Sequence, residues 1–356
     1  MNSNHKHATA PPSPFAWVTL LTRTSYLPGA ILLAYSLCRQ TSKYPLLILT
    51  TPSFPPSLLP LLERECSFIN ASILSISALS PPPKNTPSSL IATRFEDTWT
   101  KLRVFQLHRH GYQKLVFLDA DMLVMRNMDE LFDYELPGRD WIAANHACVC
   151  NLDSDSWAPE DWTKKNCAYA GLRPGSPPTP VPDFRLVNGN AVHKRTHTLL
   201  NSGMFLFTPH ESQWQDMVKF LNSDPRVKGY LFPDQDFLAE FFTGKWQSIG
   251  WQYNALKTMR YWHENMWADD EVRNLHYIVD KPWSRRVGND GVAGYLGRDG
   301  VTHRWWWNEY ERWENDRTSK GEEKIMEIMR REVAKSLKGG KEMESLHGNW
   351  QQIAGK

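Results

Sequence analysis

The sequence predicts an α/β protein with a mixed, mostly parallel sheet flanked by helices, and three observations carry that prediction. The runs "FAWVTLL" (15–21) and "YPLLILTT" (44–51) are nearly continuous in apolar residues, as expected of strands covered on both faces. Between them lies a segment with helical spacing, so strand and helix alternate along the chain. A later run, "KLVFLDADMLV" (114–124), ends its apolar stretch on two carboxylates, the pattern of a central strand opening onto a polar crevice.

Each element has a local reason. "PGAILLAYSLCRQ" (28–40) opens with Pro and Gly and then spaces its apolar residues as a helix does. A second helix is expected over 57–66 and a third strand within "FINASILSI" (68–76). "SPPPKNTPSS" (80–89) is a loop by composition, and "DTWTKLRVFQLHRHG" (97–111) is a helix of mixed polarity stopping at a glycine. Residues 145–182 form a long Pro-rich insertion carrying Cys148, Cys150 and Cys167. Near the end, "GVTHRWWWNEYERW" (300–313) gathers aromatics as a lid or a core-covering segment would. Ile325, Met329, Val333 and Leu337 then make one stripe of an amphipathic helix over about 320–338. The expected organisation is a polar N-terminal tail (1–14), one domain over 15–285 and a C-terminal extension over 286–356.

Composition narrows the classes of function. The 356 residues can bury a sizeable core, and a net charge of +2 gives no electrostatic case for nucleic acid or a membrane surface. The N-terminus lacks the apolar core of a signal peptide, and no apolar stretch is long enough to span a bilayer. Five cysteines in no framework spacing favour reduced thiols and a cytoplasmic setting. Cys148-x-Cys150 with Cys167 and nearby His146 offers donors for zinc, but the spacing lacks the two-residue gap of zinc knuckles. The reading preferred here is therefore a loop with free thiols on the acceptor side.

Asp119 and Asp121 stand two apart, so on an extended backbone both project to the same side. Two carboxylates so placed repel unless a cation lies between them. Hard oxygen donors suit Mn²⁺, with Mg²⁺ as the alternative, and both ions suit phosphate oxygens. Two competing readings are a pair of solvated acids in a loop cap and the nucleophile of a dehalogenase-type phosphatase. In the latter a Thr or Val is usual where Leu123 stands.

Six blocks in order, "FAWVTLLTRTSYLPGAILLAYSL", "TKLRVF", "VFLDADMLVMRNMDELF", "LNSGMFLFTP", "PDQDFL" and "LHYIVDKPW", resemble glycosyltransferase family 8. The resemblance spans roughly 15–285 and is nearer to the galactinol synthase branch than to glycogenin. It implies a GT-A type nucleotide-sugar-binding domain, a retaining transfer, a UDP-sugar donor (UDP-glucose or UDP-galactose) and a hydroxyl acceptor. It further implies that Thr19, Thr22 and Tyr26 hold the nucleotide, and that Lys101 lies near the donor phosphates and sugar. Asp119, Ala120 and Asp121 then belong to the donor site, with Asp119, Asp121 and His276 as metal ligands. Asn201, Ser202, Asp234 and Gln235 face the sugar, with Gln235 close to the anomeric carbon, and Lys281 clamps the departing diphosphate. Gln235, Asp234 and Lys281 are the implied catalytic set. Arg94 is a looser match to a family arginine, and His146 falls near a family sugar contact. The acceptor expected is a small diffusible polyol or glycoside, against self-glucosylation at Tyr253 or Tyr261 or an inactive sugar-nucleotide-binding scaffold. A homodimer is left open.

Overall fold

The computed structural model describes residues 13–87, 93–182 and 194–333. Strand β1 (Phe15–Leu21), helix α1 (Leu27–Arg39), β2 (Leu46–Thr50), α2 (Leu59–Cys66) and β3 (Ala71–Ser75) alternate as the sequence predicts. A helical stretch, Thr93–His110, is wound with 3₁₀ rather than α geometry and leads into β4 (Lys114–Leu118). Short β5 (Met122–Val124) and β6 (Ile142–His146) precede the insertion. After it come β7 (Leu200–Phe207), α3 (Glu211–Ser223), α4 (Pro233–Phe241), β8 (Trp246–Ser248) and β9 (Ala255–Leu256). The chain continues through α5 (Met259–Trp262), β10 (Asn274–His276), α6 (Gly300–Ser319) and α7 (Glu323–Glu332).

Seven strands form one sheet in the order β3-β2-β1-β4-β7-β6-β8. The β3, β2, β1 and β4 strands run parallel, whereas β7 is antiparallel to both β4 and β6, and β6 and β8 are parallel. The sheet is thus mixed and mostly parallel. Successive residues of β1 and β4 face opposite layers, as the two-residue period requires. Trp17, Val116 and Leu118 enter one apolar cluster with α1, while Val18, Leu115 and Phe117 enter the other. Trp99, Leu102 and Phe105 of the 3₁₀ stretch cover the second cluster. Since both layers are apolar, the continuous runs in the sequence follow.

A second sheet, β5-β10-β9, packs beside the first. Residues 300–313 prove to be core-covering rather than a lid. Trp306, Trp307, Tyr310 and Trp313 are all buried on α6 against the first cluster. Further along α6, Arg317 makes a two-pronged pair with Glu65 of α2, Nε to Oε2 at 2.7 Å and Nη2 to Oε1 at 2.6 Å, and both side chains are fully buried. Trp313 Nε1 donates to the same carboxylate at 2.9 Å. Helix α7 docks on this layer through Ile325, Met329 and the following Val333, while Leu337 of the expected stripe lies outside the described residues.

Candidate functional site

The functional side chains gather where β1 and β4 end. Because β7 runs antiparallel to β4, with Leu118 opposite Met204, the start of β7 lies beside the end of β4. The Asp119 amide continues the ladder to the Gly203 carbonyl at 2.8 Å. Asn201, Ser202, Asp119 and Asp121 therefore meet although about 80 residues separate the segments. Helix α4 brings Asp234 and Gln235 to the same place, and the second sheet supplies His276 from β10.

Two lysines, Lys101 buried and Lys281 partly buried, organise the charge. Lys101 Nζ lies 2.9 Å from Asp119 Oδ1 and 2.6 Å from Asp234 Oδ2, and it donates to the Ser202 carbonyl at 3.2 Å. Asp234 also accepts from Ser202 Oγ at 2.7 Å and from Thr98. Burial works against the Asp234 charge, but Lys101 and the two hydroxyls outweigh it and hold this carboxyl below its ordinary range. The second lysine, Lys281, pairs with Asp121 Oδ2 and donates to the Tyr277 carbonyl at 2.7 Å. Burial opposes the charge on Asp121 as well, yet Lys281 and His276 hold it well below the usual carboxylate range. Asp119 is pushed the other way by burial and by the Asp121 charge, with Lys101 only partly compensating.

Hydrogen-bond logic fixes the histidine. The Gly203 backbone N–H donates to Asn201 Oδ1 at 3.0 Å, so that atom is the amide oxygen. Asn254 Nδ2 donates to the same oxygen at 2.8 Å, which leaves Asn254 Oδ1 facing His276 Nδ1 at 2.9 Å. An amide oxygen only accepts, so Nδ1 carries a proton, and Nε2 faces Asp121 Oδ1 (3.4 Å) and Asp119 Oδ2 (3.9 Å). With Nδ1 engaged in this way, Nε2 is the ring atom that a cation among the three groups would take. The donor set, two carboxylates and an imidazole held by an outer hydrogen bond, fits a divalent ion such as Mn²⁺ or Mg²⁺. At the other end of the relay, Asn201 Nδ2 donates to Gln235 Oε1 at 3.2 Å. Gly203 must be glycine because a Cβ there would lie 2.4 Å from His276 Cε1.

Around this centre, Tyr26 is half-buried with its ring centroid 5.8 Å from Lys281 Nζ, edge-on to Trp283. Trp283 Nε1 in turn donates to the Ser25 carbonyl at 2.9 Å, tying the turn after β1 to the Lys281 turn. Thr22 is half-buried just past the end of β1. Ala120 is buried against Gly29, where a Cβ would come 2.3 Å from the Ala120 carbonyl oxygen. Thr19 corrects the expectation: it is fully buried inside β1, so its hydroxyl has no surface to offer a nucleotide. His146 is likewise buried, with Nε2 donating to the Thr179 carbonyl at 2.8 Å, which removes it as a sugar contact. Arg94 lies where side chains are outside the described set. Lys281 is preceded by Val279 at φ 65°, a strained angle for a β-branched residue, and by Asp280, held 3.1 Å from Lys257. Lys257 is itself buried against Asp299. Sequence reasoning passed over Asn254, Lys257 and Asp299, because a lone amide or ion pair in an aromatic-rich stretch carries no spacing signal.

A sheet with this strand order and a polar centre at its carboxyl edge defines a GT-A type glycosyltransferase. Solved structures share the fold: the glycosyltransferase GlyE of Streptococcus pneumoniae aligns with a TM-score of 0.53 and 17% identity, covering 86% of this chain and 64% of that one. An active-site mutant of LgtC aligns with a TM-score of 0.50 and 14% identity, covering 83% of this chain and 95% of the other. The chain belongs to glycosyl transferase family 8, whose sequence model matches residues 17–286. Among curated relatives, galactinol synthase 6 of Arabidopsis thaliana is 26% identical over 302 residues, covering 83% of this chain and 80% of its own. Galactinol synthase 1 of Solanum lycopersicum is 26% identical over 303 residues, covering 83% and 81%.

Proposed function

We propose that the protein is a retaining, metal-dependent hexosyltransferase that moves glucose or galactose from a UDP-sugar to a hydroxyl of a small diffusible polyol or glycoside. The observation that supports this most is the continuous relay from Gln235 through Asn201 and Asn254 to His276, which ties a sugar-facing end to a diphosphate-facing end. Asp119, Asp121 and His276 would hold a divalent cation, which supplies positive charge to the oxygens of the leaving diphosphate.

The chain's own residues do the rest. Tyr26 and Thr22 receive the nucleotide at the end of β1. Lys281, held by one carboxylate and one carbonyl, turns its ammonium to the diphosphate, where charge grows as the bond from the anomeric carbon to the phosphate oxygen breaks. Asp234 is locked by Lys101, Ser202 and Thr98, so it positions sugar hydroxyls rather than attacking carbon. Gln235, a neutral amide beside it, cannot form a glycosyl ester as a carboxylate would. Retention then follows from front-face exchange: the acceptor oxygen bonds to the anomeric carbon on the side the diphosphate leaves, and the hydroxyl proton passes to the departing phosphate oxygen.

Self-glucosylation finds little support. The Tyr261 hydroxyl is buried, and the Tyr253 hydroxyl donates to Glu130 at 2.8 Å with its pKa pushed up to about 12 by burial and by Glu130. The names of the relatives, galactinol synthases, favour a soluble acceptor. Among the described residues no helix is long and apolar enough to cross a membrane, and we place the enzyme in the cytoplasm, with reduced thiols. The test is UDP release from UDP-glucose and UDP-galactose with Mn²⁺ and a panel of polyols and free sugars, alongside intact-mass spectrometry. Acceptor-dependent release with an unmodified protein is expected; stepwise hexose additions to the chain would overturn the diffusible-acceptor reading.

A further inference from the structure

Some way from the donor site, the insertion and the segment after β9 meet in a second cluster. Cys148 and Cys150 leave the end of β6, Cys167 follows the turn Lys164–Asn166, and His263 caps the C-terminus of α5. His263 Nε2 lies 3.3 Å from Cys148 Sγ, 3.2 Å from Cys150 Sγ and 3.6 Å from Cys167 Sγ. Cys148 Sγ and Cys167 Sγ are 3.9 Å apart, and all four donor atoms fall within 4.8 Å of one another.

Hydrogen bonding alone does not account for this arrangement. One imidazole nitrogen offers either one proton or one lone pair, yet three sulfurs crowd around it. Nor are the cysteines joined to each other, since all three are free thiols. A tetrahedral zinc with bonds of about 2.3 Å to sulfur and 2.0–2.1 Å to nitrogen requires edges of about 3.8 Å between sulfurs and 3.6 Å from sulfur to nitrogen. The observed separations of 3.9 Å and of 3.2–3.6 Å match those edges.

We propose that Cys148, Cys150, Cys167 and His263 form a structural Cys₃His zinc site. Zinc binding releases the three thiol protons, and the four ligands close the tetrahedron, so no position remains for a substrate. The resulting site carries one net negative charge, and Lys164 in the turn before Cys167 offsets part of it. Cys150, Cys167 and His263 are buried, while half-buried Cys148 marks the way in for the ion. The site fastens the insertion to the stretch between Asn254 and His276, and so braces both the imidazole of the donor centre and the amide that orients it. The earlier candidate, His146, lies nearer to the cysteines in sequence, but its ring packs against Trp246 with centroids 5.0 Å apart.

The test is metal analysis of the full chain, expressed in zinc-supplemented medium and dialysed without chelator. About one zinc per chain is expected, retained in Asp121→Asn and reduced at least tenfold in Cys150→Ser and His263→Ala. Cobalt substitution of the wild-type chain provides a readout that does not depend on the variants folding: tetrahedral thiolate-bound cobalt gives intense visible ligand-field bands and a sulfur-to-metal charge-transfer band. A folded wild-type chain holding less than roughly a tenth of an equivalent of zinc, a cobalt spectrum without these bands, or a disulfide among the three cysteines by non-reducing mass spectrometry would overturn the proposal.

Discussion

Replacing Asn254 tests the relay at its middle. Asn254→Leu keeps the side-chain volume close but removes both the acceptor for His276 Nδ1–H and the donor to Asn201 Oδ1. A buried imidazole N–H left without a partner costs about 1–3 kcal/mol. Losing the outer partner of a metal-ligating histidine lowers metal affinity by about 10–100-fold, which is roughly 1.4–2.7 kcal/mol. The first cost falls on stability and the second on the metal, so the expected result is an Mn²⁺ dissociation constant raised by about one to two orders of magnitude in the presence of UDP. The free-Mn²⁺ signal in electron paramagnetic resonance titrations measures it. Asn254→Asp separates the two roles: it still accepts from His276 but sets an oxygen against Asn201 Oδ1. Metal affinity should then hold while KM for the sugar donor rises. Mn²⁺ affinity within twofold of wild type in Asn254→Leu would refute the tautomer argument, and equal metal loss in both variants would reduce Asn254 to packing.

Gly203→Ala places a methyl 2.7 Å from His276 Nδ1 and must rotate the ring; donor hydrolysis should fall about 10–100-fold while far-ultraviolet circular dichroism stays unchanged. Lys281→Ala should lower turnover more than UDP affinity and, because Lys281 pairs with Asp121, should tighten Mn²⁺ binding in the free enzyme; Tyr26→Ala should mainly weaken UDP binding in calorimetry. Asp236 has its pKa raised from 3.8 to about 6 by burial, although its Oδ2 accepts from the Leu231 and Phe232 amides. The folded state thus keeps a proton that the unfolded chain has lost, and stability should decline as pH rises from about 4 to about 6, by at most roughly 3 kcal/mol. Urea denaturation across that range should show the slope flattened in Asp236→Asn.

The fold was legible wherever a segment was long enough to express a period. The predicted first strand coincides with β1, and α1 lies within one residue at each end. The second sheet was not legible, because strands of two or three residues such as β9 and β10 leave no alternation to read. Asp119, Asp121, Asn201, Asp234 and His276 came from block order, and the structure brings them together. Thr19 misled because a β-strand threonine reads the same whether its hydroxyl faces a ligand or the sheet layer. The sulfur cluster was half visible: Cys148, Cys150 and Cys167 are near in sequence, but His263 follows them by 96 to 115 residues and lies among aromatics that give no hint of a ligand.

The buried pair of Arg317 and Glu65 has a consequence for how the chain is made. Its partners are 252 residues apart. At roughly 5–20 residues per second, about 13–50 seconds separate the synthesis of Glu65 from that of Arg317. Throughout that interval α2 cannot close over its carboxylate, because an unpaired buried charge is among the costliest things a core can hold. The N-terminal βαβ unit must therefore wait on the ribosome with its outer face wet, and only the arrival of α6 allows that layer to dry. A message truncated between these two positions would leave a product whose sheet can form but whose α1–α2 side stays open to chaperones.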